Sequence, residues 1–115
     1  MESAIDWSSL PFGYYPTDYN LRCVYRDGKW GEIEVSQSET ISIHMAATAL
    51  HYSQEIFEGL KAFRGVDGKV RIFRLEDNAR RLRESARGLL MEPVPEEIFK
   101  KMCIEAVRLN ERFVP

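Results

Sequence analysis

At Leu75 the spacing of apolar residues changes, and that change limits what the chain can fold into. Upstream, side chains alternate. Leu21, Cys23 and Tyr25 fall on one face and Arg22, Val24 and Arg26 on the other, and Ile41-Ser-Ile-His-Met45 repeats the pattern. Alternation of this kind marks half-buried strands. Downstream, Leu75, Ala79, Leu82, Ala86 and Leu89 recur at steps of four and three, the stripe of an amphipathic helix. Asp27-Gly28 carries the chemistry of a tight hairpin turn, so Leu21–Arg26 and Trp30–Val35 are expected to pair. Gly65-Val-Asp-Gly68 predicts a second hairpin between Phe57–Phe63 and Val70–Phe73. Short turns imply an antiparallel or mixed sheet, because parallel pairs need long crossovers.

Two helices follow the strands. Asp77 and Asn78 are placed to satisfy free N–H groups at the start of the first, and Gly88 to end it. Pro95-Glu96-Glu97 opens the second, with carboxylates at the positive end of the helix dipole. Its apolar face is Ile98, Met102, Ala106, Leu109 and Phe113, and it is expected to run to about Arg112. The fold class is therefore α+β, a sheet of hairpins covered by two helices. Residues 1–18 read as an irregular arm and 19–115 as one small domain. A proline closing the chain just after a helix predicts continuation beyond Pro115.

With 115 residues, 44% hydrophobic and 30% charged, one core can form without a disulfide or a metal. Cys23 and Cys103 stand far apart, as in a reduced, cytoplasmic chain. No apolar run reaches the roughly 20 residues of a membrane helix. The formal charge of −2 exerts no general pull on nucleic acid, yet the charge is uneven. Between Lys61 and Arg87 nine basic residues face four acidic ones, a local +5 that leaves −7 elsewhere. Most of these arginines suit a solvated helix face, with Arg80 and Glu84 placed to pair. One turned inward would hold an anion, since the guanidinium fork grips phosphate bidentately and keeps its charge. A non-enzymatic anion-binding or nucleic-acid-binding domain is the rival reading of this segment.

No glycine-rich nucleotide cradle, nucleophile elbow or metal-ligand cluster is present. His44 and His51 have no acidic or cysteine partners at ligand spacing. Among five lysines only Lys61 sits on a predicted strand, and its neighbours Leu60 and Ala62 point to the other face. The chain holds no complete catalytic set.

The stretch Ala49-Leu-His-Tyr-Ser-Gln-Glu-Ile-Phe-Glu-Gly-Leu-Lys-Ala-Phe63 stands ahead of Asp67-Gly-Lys-Val-Arg-Ile-Phe-Arg74 and Asn78-Ala-Arg-Arg-Leu-Arg-Glu-Ser-Ala86. Together they resemble the amino-terminal small domain of the branched-chain amino-acid aminotransferases, pyridoxal-phosphate enzymes of fold type IV. The likeness runs from about Trp7 to the last residue. It implies that Arg81 holds the phosphate of pyridoxal 5'-phosphate and that Phe57 and Phe12 line the pocket for a branched side chain. It also implies that Tyr52 serves the partner subunit's pocket across a homodimer. Ser53 stands where many members of the family carry glycine. The resemblance implies amino-acid and 2-oxo-acid substrates, with no nucleic acid and no membrane. It places the cofactor lysine in a large domain beyond Pro115, so the isolated chain is expected to be inactive and to expose an apolar patch where that domain would sit. D-amino-acid aminotransferases and aminodeoxychorismate lyases, of the same fold type, are the nearest alternatives.

Overall fold

The computed structural model describes Ile5 and residues 13–115. It is a small α+β unit in which β1 (Asn20–Arg22), β2 (Tyr25–Arg26), β3 (Lys29–Trp30) and β4 (Glu34–Ser36) precede a short helix α1 (Thr48–His51). Then come β5 (Ala62–Arg64), β6 (Val70–Ile72), α2 (Leu75–Gly88), α3 (Glu96–Leu109) and a 3-10 turn at Glu111–Phe113.

Both hairpins form. Asp27 and Gly28 have φ of 55° and 80°, the double positive φ of the primed turn predicted from Asp-Gly. β2 pairs with β3 across this turn, and β1 pairs with β4 farther along the same two arms. The predicted long strands are interrupted between these ladders. A hydrogen bond of 2.8 Å from Gly31 N to Val24 O bridges the gap. A Cβ on Gly31 would sit 3.3 Å from that carbonyl, so glycine permits the close approach. The second hairpin pairs Ala62↔Ile72, Phe63↔Arg71 and Arg64↔Val70.

The expected single sheet is not observed. Among the described residues the strands make three separate two-stranded antiparallel ladders. Ile41–Met45 alternates in sequence but finds no ladder partner, and its backbone enters a turn. Ala46 N donates to His44 Nδ1 at 3.0 Å and Ala47 N to His44 O at 3.0 Å, which leads into α1. Alternation marks one face as apolar; only a neighbouring strand makes that segment a strand.

The core lies along α2. Leu75, Ala79 and Ala86 are its buried apolar residues and Asn78 its buried polar one, with α3 packed alongside. Leu75, Ala79 and Ala86 of the stripe read from the sequence are buried and Leu82 is half-buried, whereas Leu89 falls just past the end of the helix and is exposed. The helix ends differ from expectation. Arg74, in the left-handed region at φ 54°, precedes α2, and no side chain caps its N-terminus. Asp77 instead receives Arg74 Nε at 2.6 Å, and Asn78 is turned inward. At the other end Gly88 is the last helical residue, and Leu90 takes the left-handed position at φ 57°. Leu90 N bonds Arg87 O at 3.2 Å and Met91 N bonds Ala86 O at 2.8 Å, a full Schellman closure built on leucine. Leu90 is exposed, so its side chain adds little packing. Relief of the left-handed strain exceeds the entropy glycine adds to the unfolded chain, so Leu90→Gly is expected to stabilise by about 0.5–1 kcal/mol. A rise in the urea midpoint measures it.

α3 ends at Leu109 and not near Arg112, because Asn110 is taken by the chain entering β1. Its Oδ1 accepts from Asp18 N at 3.1 Å and Tyr19 N at 2.9 Å, while its Nδ2 donates to Tyr19 O at 3.0 Å. Arg112 grips Asp18 from the same end, at 2.8 and 2.9 Å.

Candidate functional site

Gln54 to Ala62 alternates in burial without belonging to a ladder until its last residue. The segment is stitched along α2 by side chains. Gln54 Nε2 donates to Leu89 O at 2.9 Å near the C-terminal end of the helix. Toward the other end, Asn78 Nδ2 donates to Gly59 O at 2.9 Å and to Glu58 Oε1 at 2.7 Å. Ile56, Glu58 and Leu60 face inward, whereas Phe57 and Lys61 face outward. The orientation expected for Lys61 relative to Leu60 and Ala62 is the one observed.

Glu58 meets Arg81 where this segment crosses the first turns of α2. Arg81 Nε donates to both carboxylate oxygens, at 2.9 and 3.0 Å, and Nη2 donates to Oε1. The Glu58 side chain is only 5% exposed and that of Arg81 is 64% exposed. Glu58 thus occupies the Nε–Nη2 edge of the guanidinium from the protein side. Nη1 makes no hydrogen bond among the described residues, so the Nη1–Nη2 edge remains for another acceptor. Arg81 borders a cleft of about 500 Å³ together with Lys61, Arg74 and Arg80, against the carboxylates of Asp77 and Glu84. Arg80 pairs with Asp77 at 3.5 Å, not with Glu84 as the helical spacing suggested. The cationic excess, with one open guanidinium edge, suits an anion.

The hydrogen bonds from Arg81 are the main reason the Glu58 carboxyl titrates below its ordinary range; its partial burial opposes them, and Asn78 adds to them. A carboxyl with a depressed folded-state pKa stabilises the fold above its unfolded pKa and loses that contribution as pH falls through the folded value. The stability difference between wild type and Glu58→Gln is therefore expected to shrink below about pH 4.3. Urea midpoints of both proteins at pH 6 and pH 3 read this directly.

Of the described residues that the resemblance singled out, Phe57 and Tyr52 do not join the cleft. Phe57 is 90% exposed, on the face opposite Glu58. Tyr52 is 80% exposed and follows α1. Phe12 lies outside the described residues. Ser53 has φ of 51°, a left-handed conformation that glycine adopts without the cost a side chain brings. Glu58 and the inward role of Asn78 were missed. The available signal was the period-two pattern, which puts the Glu58 carboxylate on the same face as Ile56 and Leu60. A charge there needs a partner, and the arginines of α2 are the nearest supply. Among the described residues no cluster of metal ligands occurs, and no helix is long and apolar enough to cross a membrane.

No family model matches the chain. The branched-chain-amino-acid aminotransferase of Haemophilus influenzae is 45% identical over 107 residues, 93% of this chain and 31% of its own length. That of Helicobacter pylori is 38% identical over 96% of this chain and 32% of its own, and a transaminase of Alternaria alternata is 39% identical over 98% and 31%. The chain spans about a third of the length of the curated relatives it matches.

Proposed function

We propose that this partial relative of the branched-chain-amino-acid aminotransferases is the small amino-terminal domain of such an enzyme, built on fold type IV. The whole protein exchanges an amino group between leucine, isoleucine or valine and 2-oxoglutarate. The observation that carries this reading is the likeness to the Haemophilus influenzae enzyme along nearly all of this chain. The open edge of Arg81 on a cationic cleft supports it independently.

The residues present fit the phosphate of pyridoxal phosphate. Arg81 offers a planar fork of fixed charge, and Lys61, Arg74 and Arg80 raise the local potential. When bound, that cofactor supplies the electron sink through which an amino group leaves one carbon skeleton for another. Arg81 binds and orients the phosphate. The family resemblance gives Phe57 and Phe12 to the pocket for the branched side chain and Tyr52 to the partner subunit of a cytoplasmic homodimer; Phe57 and Tyr52 are both exposed here, open to what such a partner or further domain would cover. Exposed apolar residues from Ile41 through Met45 and Leu50 to Phe57 agree with a surface that further structure covers. The cofactor lysine and the groups closing the phosphate cup belong to the large domain of such an enzyme, outside the third of the relatives' length that this chain spans.

The full-length protein is expected to convert leucine and 2-oxoglutarate to glutamate, and the pure 115-residue chain to show no turnover. Consumption of a D-amino acid or of aminodeoxychorismate in place of leucine would move the reading to another enzyme of the same fold type. Sustained transamination by the 115-residue chain would refute the division of labour.

A further inference from the structure

Glu58 carries no role in the reading above, yet its placement is specific. A carboxylate 5% exposed, between Ile56 and Leu60, is costly unless partnered, and it has two partners on one helix, Asn78 and Arg81. We propose that Glu58, itself fixed by Asn78, is the positioning residue that presents the Nη1–Nη2 edge of Arg81 to the cofactor phosphate. This rests on the assignment of Arg81 as phosphate anchor.

An arginine has two bidentate edges, and its long side chain samples many rotamers when unconstrained. Glu58 takes the Nε edge through both of its oxygens, which fixes the plane of the guanidinium as well as its location. Asn78 lies one helical turn before Arg81 and holds Glu58 Oε1 at 2.7 Å, while also bonding Gly59 O at 2.9 Å. The carboxylate is thereby tied to backbone. A phosphate bound end-on need not displace Glu58, since the two anions use different edges. Glu58 does add a negative charge near the phosphate, and electrostatics alone would make it a competitor. The two roles predict opposite signs: loss of Glu58 weakens phosphate binding if it positions, and strengthens binding if it only competes.

The test titrates the full-length apoprotein with pyridoxal phosphate, with phosphate-free pyridoxal and with inorganic phosphate, following quenching of intrinsic fluorescence. Glu58→Gln keeps the shape and Glu58→Ala removes the group; thermal melting verifies that each variant is folded. We expect pyridoxal phosphate and inorganic phosphate to bind about tenfold more weakly to Glu58→Ala and a few-fold more weakly to Glu58→Gln, with pyridoxal unchanged. The double variant with Arg81→Ala should be no worse than Arg81→Ala alone, the signature of residues acting through one another. Equal or tighter phosphate binding in a folded Glu58 variant overturns the inference. So does an equal loss for pyridoxal, which would mean a general structural defect. If Arg81→Ala weakens pyridoxal phosphate and the Glu58 variants do not, only the positioning role falls. If Arg81→Ala itself leaves the preference for the phosphorylated form intact, the anchor assignment falls and this inference with it.

Discussion

Replacing Arg81 by alanine is expected to lower the affinity of the full-length protein for pyridoxal phosphate by about a hundredfold, measured by titration of the apoprotein. A hydrogen bond to a charged group contributes about 1.5–3 kcal/mol, and 1.4 kcal/mol is a factor of ten. An end-on fork makes two such bonds, but Arg81 is 64% exposed, and solvent trims both. The weakened pair of bonds sets the expected factor. The substitution also strips the nearly covered Glu58 of its cation. Arg81→Lys separates the two effects. Lysine keeps the charge as a single point and cannot serve Glu58 and a phosphate on two edges at once. Its loss should fall between wild type and alanine, near tenfold, with stability closer to wild type. A lysine variant as weak as alanine would show that geometry outweighs charge; one as tight as wild type would refute bidentate anchoring.

Leu75→Ala is expected to destabilise the domain by about 2–3 kcal/mol, the low end of the range for buried leucines. Leu75 is one of three buried apolar residues among those described, and it borders a groove shared with Val70 and Ile72 of β6 and Ile104 and Val107 of α3. It therefore joins a hairpin to two helices at one point. The groove is open, so neighbouring side chains and water can partly fill the space a leucine leaves, which keeps the cost below that of a sealed cavity. Against a typical total of about 5–15 kcal/mol this is a large fraction. The urea midpoint of the 115-residue chain should fall with an unchanged slope. A change in slope would mean that the residual structure of the unfolded chain had changed as well.

Much of this protein was determined by local chemistry legible in the sequence. The Asp27-Gly28 turn, the pairing of β5 with β6 and the buried stripe of α2 depend on positive φ at a glycine and on spacing of two or 3.6 residues. The alternation that hid Lys61 from Leu60 and Ala62 was likewise a property of the backbone alone.

Other features depended on which segment lay beside which. Ile41–Met45 had the pattern of a strand and no partner, so its backbone closed a turn. Asn78 had the chemistry of a cap, yet Glu58, twenty residues upstream, offered a buried charge and drew the amide inward. Leu90 occupies a position that sequence rules reserve for glycine, because the closure of α2 fell two residues beyond Gly88. The family motif singled out Arg81, and the fold decided which of its edges faces the cleft. A hydrogen bond between residues 58 and 81 leaves no period in the sequence. It arises only when a strand-like segment is laid along a helix, and burial of the Glu58 charge makes that contact specific.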